Sequence, residues 1–402
     1  MSTSVLYHAF GLRGVKYKAT RYEAGATIFD AEVTSELERC EECGWLWTVR
    51  KRGCHQRVFR MSPIGRRPTF LRLRIWRVEC KRCQALRWPR LPFVKGKARH
   101  TIRFAQLALD LLQWMTISAV AEFLGVGWDL VKDLHKEQLQ RRYKNPQLSD
   151  VQYLGIDEFS IRKGHSYMTI FVDLETARIV HAVEGKGAQA IAPFLKVVRR
   201  RAHRLKAIAM DMSTGYIAAV HEHLPGVDIV FDRYHVAALM NTAIDDLRRD
   251  QQSRLAEQDR QVIKGSRFLL LSNYEKLEED KQTRLSALLE ANAPLFTAHS
   301  MKEQLRTFWE KSSMLEGLLF LEAWCADAAK SGIRQLEKVS KTLMAHSYGL
   351  LSYFSHGITC GLVEGINNKI KTLKRQAYGF RDLAYFKLRL YHLHCQTYSF
   401  AG

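Results

Sequence analysis

Two groups of side chains in this 402-residue chain have the types and spacing for metal chemistry. The first is Cys40-Glu-Glu-Cys43 followed by Cys80-Lys-Arg-Cys83. Each knuckle offers two thiolates, and two knuckles complete a tetrahedral Zn²⁺ site of the structural kind, because four thiolates leave no position open for a substrate. The second group is made of carboxylates. Asp157 closes the apolar run Tyr153-Leu-Gly-Ile156, Asp211 closes Ala207-Ile-Ala-Met210, and Glu364 lies in the opening turn of a helix-like segment far downstream. Carboxylates set side by side repel unless a cation sits between them. Two Mg²⁺ (or Mn²⁺) ions about 4 Å apart suit such a set, one activating a water or 3′-hydroxyl and the other the leaving oxygen.

Each group needs elements to position it. The knuckles are separated by 36 residues, so the chain between them must form a hairpin. Leu71-Arg72-Leu73-Arg74-Ile75-Trp76 has the pattern of one of its strands, with aliphatics on one face and Arg72, Arg74 and Trp76 on the other. That outer face suits phosphate contact. Cys54-His55 could supply a replacement ligand, the alternative being local packing. The N-terminus lacks the apolar run of an export signal. The eight cysteines are therefore expected to stay reduced, and clustered ones read as metal ligands rather than disulfides.

The carboxylates call for a sheet. Tyr153–Phe159, His165–Asp173 and Arg178–Glu184 read as an antiparallel meander, followed by a helix over Ala190–Arg201 and a strand over Ala207–Met210. A further helix leads to a fifth strand, Val227–Phe231, closing on Asp232. That order is the order of a ribonuclease-H-like α/β fold, in which the first and fourth strands pair and bring Asp157 and Asp211 together. In the segment opening at Gly361, Glu364, Asn368, Lys371 and Arg375 recur at steps of three or four and share one helical face. A metal-binding acid is thus continued by groups suited to DNA phosphates. The structural alternatives are that Asp157 and Asp211 cap nearby backbone and that Glu364 is a solvated first-turn acid. Glu158, Asp173 and Asp232 are weaker candidates, Glu158 because it points to the face opposite Asp157.

Charge points to the partner. Lys and Arg outnumber Asp and Glu by 62 to 41, for a formal charge of +21. Residues 51–100 alone hold 16 basic residues and one acid, Glu79. Such a surplus implies a polyanion, since each cation set on a phosphate releases condensed counterions. Within Ile117–Lys136, Ala121, Gly125 and Val131 have the spacing of a helix-turn-helix, whose second helix offers Lys132 and Lys136 but also Asp129, Asp133 and Glu137. An ordinary helical hairpin packs by the same rules. The longest apolar region, Leu107–Trp128, is broken by Asp110, Gln113 and Glu122, which speaks against a membrane span.

The expected organisation is an N-terminal extension over 1–39, a zinc-binding basic module over 40–99 and a helix-turn-helix over 100–149. Then follow the first part of the sheet domain over 150–235, a helical insertion over 236–353, and a C-terminal helix carrying the third acid over 354–402.

The segments GIDEFSIRKGHSY (Gly155–Tyr167), AMDMSTGYIAAV (Ala209–Val220), FDRYHVAALMN (Phe231–Asn241) and VEGINNKIKTLKRQAYGFRD (Val363–Asp382) resemble bacterial insertion-sequence transposases of the ISL-three group, within the Asp-Asp-Glu class. The resemblance covers nearly the whole chain beyond the first forty residues. It places the three acids on Asp157, Asp211 and Glu364, and implies an all-helical insertion between the fifth strand and the helix bearing Glu364. Asp232-Arg-Tyr-His235 matches a D-x-x-H element found where related transposases begin that insertion. It positions strands near the scissile phosphate or forms a buried Asp–His hydrogen bond. Trp309 and Trp324 could stack a flipped base or pack a core.

The function so implied is a cytoplasmic, nucleoid-associated bacterial enzyme that binds the terminal inverted repeats of its own element in double-stranded DNA. It hydrolyses a phosphodiester and joins the freed 3′-hydroxyl to target DNA, acting as a homodimer or larger assembly. The rivals are a catalytically silent DNA-binding regulator and a ribonuclease-H-like nuclease or junction resolvase.

Overall fold

The computed structural model describes residues 4–40, 42–44, 49–162, 166–254, 263–359 and 361–395. The chain divides into two compact units, one running up to Lys144 and one over Asn145–His394. Among the described residues no helix is long and apolar enough to cross a membrane.

The first unit opens with a short helix, α1 (Val5–His8), and a hairpin of β1 (Val15–Glu23) and β2 (Ala26–Val33). Two residues with positive φ, Ala24 and Gly25, join these strands, as a tight antiparallel turn requires. The hairpin expected between the knuckles follows as β3 (Val49–Ile64) and β4 (Arg67–Cys80), and β5 (Leu86–Arg87) pairs with β4. The four long strands lie in the order β1-β2-β4-β3, so residues 1–39 contribute two of this sheet's five strands. Alternation buries Phe29, Ala31 and Val33 of β2, Phe59 and Met61 of β3, and Leu71, Leu73 and Ile75 of β4 in one core.

Helices α2 (Ile102–Leu111), α3 (Ile117–Leu124) and α4 (Trp128–Arg142) complete this unit. Thr101 and Thr116 cap the first two by accepting the N–H of Phe104 and Ala119. Arg60 of β3 donates to the terminal carbonyl of α3, at Leu124, with its guanidinium over the rings of Phe70 and Phe104. The sheet and the helical hairpin are thereby tied to each other.

The second unit is built on β6 (Tyr153–Arg162), β7 (Ser166–Asp173), β8 (Arg178–Glu184), α5 (Ala188–Arg201), β9 (Ala207–Met210), α6 (Thr214–His223) and β10 (Asp228–Phe231). Residues 163–165, including His165 where the second strand was expected to start, lie outside the described residues. The sheet order is β10-β9-β6-β7-β8. β6, β7 and β8 form the antiparallel meander, and β9 runs parallel to both β6 and β10. The first and fourth strands do pair.

After β10 the described chain is helical: α7 (Arg233–Arg254), α8 (Arg267–Leu271), α9 (Glu279–Ala291), α10 (Ala293–Arg306), α11 (Met314–Lys330), α12 (Arg334–Ala345) and α13 (Ser347–His356). α13 docks on β10 at Gly349, where a Cβ would stand 2.4 Å from the Phe231 ring. Trp324 is buried and donates to the Met301 carbonyl, while Trp309 packs edge-on against Phe308 and Tyr353. Core packing is the role of both rings. The chain closes with α14 (Gly361–Gln376) and α15 (Leu383–Tyr391).

Candidate active site and cysteine centre

Strand register brings the aspartates together. Gly155 of β6 pairs with Ala209 of β9, and Met210 of β9 pairs with Phe231 of β10. Continued along the strands, the same offsets set Asp157, Asp211 and Asp232 at one level across three neighbouring strands. The sequence expectation needs one correction. Asp157 is not at the end of its strand, because β6 runs on to Arg162 in antiparallel pairing with β7. What ends near the level of Asp157 is the parallel ladder, since β9 stops at Met210.

Each acid of this row is held by backbone. Asp211 accepts the N–H of Ser213, at the mouth of α6. Asp232 is buried, its N–H bonded to the Met210 carbonyl while its own carbonyl receives His235 and Val236 at the start of α7. Asp157 accepts the Glu158 N–H on Oδ1 at 2.7 Å and the Asn367 amide on Oδ2 at 2.6 Å. Burial pushes the Asp157 carboxyl above its ordinary range, opposed by the Glu158 N–H, the Asn367 amide and His235, and reinforced by Asp232. The field of the D-x-x-H element, Asp232 and His235, therefore reaches the Asp157 carboxylate.

The helix bearing Glu364 lies along β6. Its first turn approaches at Gly155, where a Cβ would meet Val363 Cγ2 at 3.0 Å and Leu174 Cδ2 at 2.9 Å, so a larger residue would push the helix away. Asn367 then reaches Asp157, and Lys374 donates to the Ser160 carbonyl at 2.7 Å. Val363, Ile366, Ile370 and Leu373 are the buried face. Glu364, Asn368, Lys371 and Arg375 are all exposed, which agrees with their shared face. Lys371 donates to Asn368 Oδ1 at a long 3.5 Å.

The structure thus sets Asn367, His235 and Asp232 about Asp157, with Asp211 at the same level by strand register and Glu364 on the exposed flank of the helix that meets Asp157. The three predicted acids do not form a closed cluster. A cation nevertheless suits the donor set: hard carboxylate oxygens, and a buried Asn367 Oδ1 with no donor among the described residues. Asn367 escaped the sequence reading, although its place three residues after Glu364, on a neighbouring line of the helix, was a usable signal. Of the weaker candidates, Glu158 accepts the Tyr216 hydroxyl on the opposite face as expected, and Asp173 holds Glu175 and Thr176 in a turn.

The cysteine centre is closed. The sulfurs of Cys40, Cys43, Cys80 and Cys83 all lie within 4.8 Å of one another, with Cys40–Cys83 at 3.4 Å and Cys43–Cys80 at 3.6 Å. Tetrahedral zinc with bonds of ~2.3 Å separates its sulfurs by roughly 3.8 Å. Among the described residues, this is the one cluster of at least three ligands drawn so close. The backbone N–H of Cys43 holds the Cys40 thiol below its ordinary value against the effect of burial. Cys83, although aided by the Ala85 N–H, is pushed up to about 12 by the facing Cys40 sulfur, by burial and by the other two sulfurs. All four can shed their protons together when a cation takes up the charge. Cys54 is exposed outside the cluster, and His55 packs edge-on to Trp88 at 4.1 Å.

The basic outer face of β4 proves to be shared with acids. β2 lies beside it in a register that opposes Asp30 to Arg72 and Glu32 to Arg74. Arg72 pairs with Glu23 and Asp30, and the Trp76 indole donates to Glu32. Arg74 is exposed. In the helical hairpin, Ala121 and Val131 are buried and Gly125 turns at φ 60°, as a helix-turn-helix demands. Lys132 lies over the exposed Trp128 ring at 5.6 Å and near Asp133, and Lys136 is half-buried.

Comparison with known proteins places this architecture. Residues 154–390 match a family model described as a transposase, and residues 89–136 match one described as the helix-turn-helix domain of transposase family ISL3. The chain belongs to that family. It is 35% identical over 364 residues to the transposase for insertion sequence element IS1001 of Bordetella parapertussis, covering 89% of each chain. It is 25% identical over 375 residues to the transposase for insertion sequence element IS1557 of Mycobacterium tuberculosis, covering 86% of this chain and 83% of that one. Among solved structures, the Drosophila P element transposase strand transfer complex aligns over 63% of this chain and 79% of its own, at TM-score 0.35 and 11% identity. That likeness carries no argument.

Proposed function

We propose that this transposase cuts and joins DNA at a two-cation site formed by Asp157, Asp211 and Glu364 on a ribonuclease-H-like sheet. The observation that carries the reading is the register of β6, β9 and β10, which, continued just past the parallel ladder, puts Asp157, Asp211 and Asp232 at one level. The strand order, with its antiparallel meander flanked by parallel strands, supports the fold assignment.

When bound, two Mg²⁺ (or Mn²⁺) ions would supply the activation of the attacking oxygen and the stabilisation of the leaving one. The chain's own part is to hold oxygens in place. Asp157 is fixed by Glu158 N–H and Asn367, and Asp211 by Ser213 N–H. Glu364, exposed on a helix already docked at Gly155, is the ligand free to move inward. Water adds across a phosphodiester to leave a 3′-hydroxyl and a 5′-phosphate. The 3′-hydroxyl then attacks a target phosphodiester in line, displacing another 3′-oxygen.

Asn368, Lys371 and Arg375 extend the site along one exposed face and grip backbone phosphates. Arg74, with Lys132 and Lys136 of the helix-turn-helix, contributes to holding the element's terminal inverted repeats. Arg72 shapes that surface from within its ion pairs, and Trp76 from its hydrogen bond to Glu32. A structural Zn²⁺ on Cys40, Cys43, Cys80 and Cys83 stabilises the sheet. Concerted cutting of two ends requires at least two protomers.

Cleavage of a labelled duplex carrying the element's own end tests the reading, comparing wild type with Asp157→Asn. Wild type should cut at the end in Mg²⁺. The variant should bind equally and cut at least about a thousandfold more slowly. Binding without cutting, even with paired ends and Mn²⁺, would favour a silent regulator. Equal cutting of unrelated DNA junctions would favour a nuclease or resolvase.

A further inference from the structure

Among the described residues, Asn367 is the one side chain outside the sheet that hydrogen-bonds the Asp157 carboxylate, and the two ends of its amide are in unlike situations. Nδ2 donates to Asp157 Oδ2 at 2.6 Å. Oδ1 is buried and receives no hydrogen bond among the described residues. Exchanging the two ends would turn an oxygen toward a carboxylate, so the hydrogen bond fixes the orientation. Buried amide oxygens normally find a donor or a hard cation. Around the Asp157 carboxylate that Asn367 touches lie Asp232 and His235, both close enough to act on it, and neither is bonded to the Asn367 oxygen. The helix gives Asn367 no freedom to look elsewhere, being pinned at Val363 against Gly155 and at Lys374 on the Ser160 carbonyl.

We propose that Asn367 is a positioning residue of the cation site: its amide nitrogen holds Asp157 in ligating orientation, and its amide oxygen is satisfied by the bound cation or that cation's hydration water. The inference deepens the two-cation reading and rests on it. It also explains how one helix can serve the site at two points. Asn367 is clasped before any cation arrives, and Glu364, one turn earlier, is left exposed to close afterwards. Residues that orient a metal ligand in this way commonly contribute 10–100-fold to metal affinity, roughly the effect expected here.

The test is Mn²⁺ titration of the full, zinc-loaded chain, read by the loss of the free-ion spin-resonance signal and by the thermal midpoint with and without Mn²⁺. Asn367→Ala should weaken Mn²⁺ binding about 10–100-fold while leaving the Mn²⁺-free midpoint within a few degrees of wild type. Wild-type affinity in that variant would overturn the proposal. So would a large fall in the Mn²⁺-free midpoint with affinity unchanged, which is the mark of a purely structural amide. Should the alanine variant fail to fold, Asn367→Asp decides the matter. It sets a carboxylate against Asp157, so Mn²⁺ should raise its midpoint by more than it raises that of wild type, and an equal or smaller rise would refute the idea. Asp157→Ala separates this inference from its foundation. If that variant binds Mn²⁺ like wild type, the two-cation reading itself fails. If it loses Mn²⁺ while Asn367→Ala does not, only the role of Asn367 is lost.

Discussion

The cysteine centre and the carboxylate site are both built from ligands scattered along the chain, yet only the first is closed in the folded protein. Its four sulfurs already have near-tetrahedral spacing, because two local knuckles are brought together by one hairpin whose register sets Val49 beside Cys80. The carboxylate site draws on β6, β9, the start of α7 and α14, and it leaves Glu364 in solvent. On the roles proposed above, the contrast follows from what each would hold. Soft thiolates that surround an ion on all sides convert binding free energy into folding free energy. A site that must admit a phosphodiester keeps positions open and needs a ligand that can arrive with the substrate.

That contrast can be broken most severely through the thiolates. Cys80→Ser, or removal of zinc by a strong chelator, should cost the first unit several kcal/mol and abolish its cooperative melting by calorimetry. Asp157→Asn should shift the melting of the second unit by only a few degrees. Comparable losses in both would mean that the carboxylate row is structural too.

Acid should act on the second unit through a buried histidine. His181 stacks on Phe194 with ring centroids 4.0 Å apart, and burial, with help from Lys387, pushes its pKa down to about 4. Above pH ~6.5 its stabilising effect is complete. As pH falls from there toward 4, the unfolded chain binds a proton that the folded one refuses, and stability declines by up to about 3 kcal/mol. Urea unfolding of wild type and His181→Phe at pH 7.5 and 5 measures this, and identical pH slopes would dismiss it.

The smallest effect concerns DNA, and it distinguishes two arginines on one strand face. Arg74→Ala should weaken end binding and lower the slope of log affinity against log salt by about 1. Arg72→Ala, which removes a partner of Glu23 and Asp30, should change that slope little. The reverse result would show that those ion pairs open on DNA.

Much of this was legible in the residues. The paired knuckles demanded a hairpin, and β3–β4 is that hairpin. The apolar runs ending in acids were strands, and their order along the chain is the order in which they add to the sheet. Gly125 between apolar helices marked the turn of the helix-turn-helix. What escaped notice depended on neighbours distant in sequence. Residues 1–39 showed no clear pattern, so the Asp30 and Glu32 that neutralise Arg72 and engage Trp76 were not foreseen. The extension of β6 past Phe159 to Arg162 was hidden because the length of a strand is set by its partner, here β7.

The sequence by itself determined the ligand chemistry, because sulfur pairs at short spacing and acids at the close of apolar runs are local facts of residue type and period. Only the tertiary structure decided which side chain on α14 meets Asp157. Glu364, Asn367 and Asn368 are all plausible from helical spacing alone. The choice fell to Asn367 because Gly155 lets Val363 pack down on β6, and that packing fixes the rotation of the helix about its axis.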